Sequence, residues 1–137
     1  MTEMYFNKPD RLMTYPSHRV CAVIDERNDA SVALDALIKS GVREEDIEIL
    51  YGREGIGLLD PNGKGHGFFS KMARKLQSFG DMEKIPIHIY ESALLQGGYV
   101  FVVPADSDDD KESIRKALDA GNAREINYFS SWYVESM

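Results

Sequence analysis

The chain has 137 residues, enough for one domain with its own core and no covalent staples. Its formal charge of −7 argues against a general nucleic-acid binder, which needs a basic face, and its single cysteine, Cys21, excludes internal disulfides and any Cys-based zinc site. No apolar run reaches the length of a membrane span, and the polar first 18 residues lack the apolar stretch of a signal peptide, so the expectation is a cytoplasmic protein without membrane contact.

Residues 1–18 show no clean periodicity and are interrupted by Pro9 and Pro16, an arm whose Tyr5, Phe6, Leu12, Met13 and Tyr15 give it apolar surface to dock with. The domain itself is expected over residues 19–135. Arg19–Ile24 alternates Val20, Ala22 and Ile24 with Cys21 and Val23, apolar on both faces, which predicts a central strand. Asn28 or Asp29 is placed to cap a helix whose buried stripe is Ala30, Ala33, Leu34, Leu37 and Ile38, with Gly41 as its left-handed stop. Ile47, Ile49 and Tyr51 alternate with Glu48 and Leu50, the pattern of a half-buried strand.

A Gly-rich loop opens at Gly52 and runs to Gly67, and Phe69, Met72, Leu76 and Phe79 then mark an amphipathic helix. A further helix is expected from about Glu83 to Gln96, with Ile87, Tyr90, Ala93 and Leu94 facing inward and Gly97-Gly98 ending it. Tyr99–Val103, bounded by Pro104, reads as a second fully buried strand. Asp108, Asp109 and Asp110 suit the positive end of a helix dipole, Ile114, Ala117, Leu118 and Gly121 complete that helix, and Glu125–Ser131 is the last expected strand.

Two passages repeat. Helix, glycine and short alternating strand occur at Ala36–Ile49 and again at Ala117–Tyr128, each after an all-apolar strand. A doubled β-α-β unit with two buried and two amphipathic strands predicts an α+β, ferredoxin-like sandwich on a four-stranded antiparallel sheet. The Gly-rich loop and two helices at about 52–97 would then be an insert between the second and third strands. A small parallel α/β layout is the alternative. It is weaker because a covered parallel sheet wants every strand apolar on both faces.

The insert holds the residues with most chemical potential. Gly63, Lys64, Gly65, His66 and Gly67 before a helix, with Lys71 in its first turns, offer backbone N–H groups and positive charge to an anion or phosphate. Residues 52–84 carry six Lys/Arg against four acids, a net of +2 in a chain of −7. The spacing is not that of a phosphate motif. Five residues separate Gly57 from Gly63-Lys64 where a P-loop has four, and Gly65 stands where Ser or Thr would hold magnesium.

Of the three histidines, His18, His66 and His88, none sits in a metal-ligand pair, and His88 with Glu91 has no third ligand, so no metal or cofactor is expected. Neither does any catalytic set emerge. Asp106–Asp110 lacks the glycine and glutamate of a calcium loop. Tyr128, Phe129, Trp132 and Tyr133 make the chain's end dense in aromatics without neighbouring basic residues, which suits packing or a dimer interface.

Val20 through Gly41 to Ile47-Glu-Ile-Leu-Tyr-Gly52, together with Tyr90-Glu91, Gly97-Gly98-Tyr-Val-Phe-Val-Val-Pro104 and Ile126-Asn-Tyr128, resembles the bacterial heat-induced general stress protein domain family. The likeness spans roughly Arg19–Tyr133. It implies a small cytoplasmic stress-induced protein of largely undefined activity, and it carries over no catalytic residues. The first expectation is therefore a homodimeric binding or interaction protein, its partner a protein. A PII-like sensor of a small anionic ligand at the Gly-rich loop comes second. A dimeric enzyme using His66 or His88 comes last.

Overall fold

The computed structural model describes residues 18–53, 87–130 and 134–137. The N-terminal arm, the Gly-rich loop, the helix expected at Phe69–Phe79, and Trp132 and Tyr133 lie outside the described residues. Among the described residues the chain is α+β: five antiparallel strands, β1 (Arg19–Ile24), β2 (Glu48–Tyr51), β3 (Tyr99–Pro104), β4 (Arg124–Phe129) and β5 (Val134–Ser136), with helices α1 (Arg27–Lys39), α2 (Ile87–Leu95) and α3 (Asp108–Ala120). The sheet order is β2-β3-β1-β4-β5. The sequence predicts four strands; the fifth is the short C-terminal β5, whose Val-Glu-Ser carries no apolar run to announce it.

The two apolar strands lie at the centre, as their pattern predicts, with Val20 opposite Val103 and Ala22 opposite Phe101. One face of the sheet presents Val20, Ala22, Ile24, Ile49, Phe101, Val103 and Tyr128 to Ala30, Ala33, Leu34 and Leu37 of α1 and Ile114, Ala117 and Leu118 of α3. The other face, with Cys21, Val23, Leu50, Val100, Val102 and Phe129, is equally buried, and Tyr90, Ala93 and Leu94 of α2 are buried with it. β2 departs from the half-buried expectation. Glu48 alternates with its isoleucines as an outward residue would, yet it is only 4% exposed, because the second face is covered as well. Tyr51, at the strand's end, is partly exposed and stacks on Tyr99 with ring centroids 4.8 Å apart.

All three helices end in the same hydrogen-bonded turn. In α1 the Gly41 N–H donates to Ile38 O and the Val42 N–H to Leu37 O; in α2 Gly97 and Gly98 donate to Leu94 and Ala93; in α3 Asn122 and Ala123 donate to Asp119 and Leu118. The left-handed residue is Gly41 (φ +108°), Gly97 (φ +88°) and Asn122 (φ +57°) in turn. Gly121 is therefore not the stop that the repeat suggests; Asn122 is the counterpart of Gly41. A Cβ on Gly121 would lie 2.5 Å from Asp29 O and 2.7 Å from Ala33 Cβ, so this glycine lets α3 close on the first turns of α1.

The helix starts differ from expectation too. α1 begins at Arg27 after Glu26, which makes no side-chain cap, so neither Asn28 nor Asp29 caps it. In α3 the cap is Ser107, whose Oγ accepts from the Asp110 N–H at 3.1 Å, while the three aspartates fill the first turn. The last long strand is Arg124–Phe129, stopping short of Ser131.

Candidate functional site

α1 and α3 run antiparallel over the sheet, and where the end of α1 meets the start of α3 they leave a groove of about 290 Å³. Ser40, Gly41, Val42, Arg43 and Asp46 line one side, and Pro104, Asp106, Asp110, Ser113 and Ile114 the other. Arg43 is held by Asp46, with Nε 2.9 Å from Oδ2, and by Glu45 at 3.2 Å, which raises its already high pKa through the Asp46 hydrogen bond first. Asp110 Oδ2 accepts from the Asp106 N–H at 3.2 Å. Three aspartates against one arginine make the lining formally negative, while the carbonyl end of α1 and the N–H end of α3 both border it and oppose one another.

The second concentration of polar groups lies under α2. Register sets Glu48, Val102, Cys21 and Asn127 side by side across four strands. Between Cys21 and Val23 the β1–β4 register slips, so that β4 holds one extra residue, and Glu125 takes a φ of +53°. The Tyr90 hydroxyl reaches into this bulge. It donates toward Glu125 O at 3.0 Å, with Cys21 O at 3.3 Å, and accepts from Asn127 Nδ2 at 3.0 Å; Nδ2 also donates to Glu125 O at 3.1 Å. Burial pushes the Tyr90 phenol well up, and burial raises the Cys21 thiol well above its usual value against the opposing pull of Arg19. A protonated, enclosed thiol is neither a nucleophile nor a metal ligand. This cluster completes a distorted ladder.

A third node sits at the C-terminal edge. Lys111 Nζ lies 3.2 Å from Glu135 Oε2, 3.3 Å from Asp108 Oδ1 and 4.2 Å over the centroid of the Tyr128 ring. Burial opposes the ammonium's charge, but the hydrogen bonds from Glu135 and Asp108 outweigh it and hold Lys111 above its ordinary pKa. The Tyr128 hydroxyl is in turn 2.8 Å from His18 Nδ1. At the far end of the sheet Arg124 grips Asp25 through two bonds, of 2.9 and 3.1 Å, and this hydrogen bonding draws the Asp25 carboxyl below its usual range. Both partners are about half exposed, so the pair adds little stability.

Gly63, Lys64, Gly65, His66, Gly67 and Lys71, expected to hold a ligand, lie outside the described residues, as does the side chain of His88. Of the four aromatics expected at an interface, Tyr128 and Phe129 are buried in the chain's own core, Tyr128 beside His18 and Lys111 and Phe129 beside Tyr90. Trp132 and Tyr133 lie outside the described residues. Among the described residues no group of three or more His, Cys, Asp and Glu converges as metal ligands, and no helix is long and apolar enough to cross a membrane. Asn127, polar at an inward strand position, is the one sequence signal of the Tyr90 cluster. The Lys111–Glu135 contact joins residues 24 apart in the chain and leaves no signal.

Compared with models of protein families, with curated proteins and with solved structures, the chain matches none.

Proposed function

We propose that the chain is a small cytoplasmic, stress-related binding or interaction protein, working as a homodimer on a ferredoxin-like frame. The observation that carries this reading is the use the fold makes of its chemically capable groups. Cys21 and Tyr90 are core residues, and Asp25, Asp46, Glu112 and Lys111 are engaged in ion pairs. The frame has support in the order β2-β3-β1-β4 with α1 packed beside α3, the arrangement of a doubled β-α-β unit to which β5 adds an edge. The resemblance at Val20–Gly52 and Tyr90–Pro104 supports the stress-related part. Fold alone fixes no activity.

The charge of residues 52–84 favours a second reading. This basic stretch joins β2 to α2 in an acidic chain, where a PII-like sensor would hold an anionic ligand, on Lys64, His66 and Lys71 here. Thermal unfolding against nucleotides and phosphorylated metabolites, for the native chain and Lys64→Ala, separates the two. A ligand at a hundred times its dissociation constant adds about 2.7 kcal/mol, a shift of a few degrees. An interaction protein should show no shift in either chain. A shift that Lys64→Ala abolishes would overturn that reading in favour of the sensor.

A further inference from the structure

We draw no further inference here: the strongest candidate, the groove between the end of α1 and the start of α3, is a set of aspartates around an arginine already held by Asp46 and Glu45, and nothing among the described residues shows what would occupy it.

Discussion

Replacing Tyr90 with phenylalanine should lower stability by about 1–3 kcal/mol, and replacing it with alanine by about 3–5 kcal/mol. The first change keeps the ring against Phe129 and removes one oxygen. That oxygen serves Glu125 O, Cys21 O and Asn127 Nδ2 in a buried site, so its loss takes a donor from two carbonyls and an acceptor from an amide. The alanine change adds a cavity under α2. Urea unfolding should show lower midpoints at an unchanged slope. A phenylalanine variant within about 0.5 kcal/mol of native would mean that the bulge satisfies itself without Tyr90.

Gly121→Ala should also be destabilising, by about 1–3 kcal/mol, and here two effects oppose one another. Gly121 has φ −94°, open to any residue, and a Gly→Ala change at such a position ordinarily gains about 0.4–1 kcal/mol by restricting the unfolded chain. The added carbon would meet Asp29 O at 2.5 Å and Ala33 Cβ at 2.7 Å, and one of those neighbours is backbone. The clash wins, because α1 cannot yield at Asp29 without parting from α3, where Asn122 Nδ2 also holds Asp29 Oδ1 at 3.2 Å. Gly41→Ala has nothing within 4 Å of its new carbon, and its cost is left-handed strain alone, about 1–2 kcal/mol. A second change separates the two origins in thermal melts. Ala33→Gly should cost less beside Gly121→Ala than in the native chain, and the same beside Gly41→Ala as in the native chain.

These positions show what periodicity carries and what it misses. β1 and β3 are legible to the residue at their starts because both faces are apolar, and the stripes of α1 and α3 because amphipathic spacing survives any tertiary arrangement. β2 goes astray on one side chain. Glu48 obeys the outward pattern of an amphipathic strand, but whether that face meets water depends on what covers it, which no local pattern encodes. Gly121 and Gly41 look alike in sequence and differ in kind, one required by a helix–helix approach and the other by a left-handed turn. The Lys111 node and the Tyr90 bulge join residues from elements far apart in the chain. The residues best suited to hold a ligand, Lys64, His66 and Lys71, remain a sequence-based expectation. The described groove between α1 and α3 is acidic and is not legible in the sequence, because Asp46 and the Asp106–Asp110 run that line it lie far apart in the chain.

The function proposed for this chain depends most on a second copy being its partner. Static light scattering of the full chain over a range of concentrations measures that directly. The expected result is a mass of twice the 15.5 kDa of one chain, falling toward a single chain only on dilution. A mass of one chain at every concentration would contradict it.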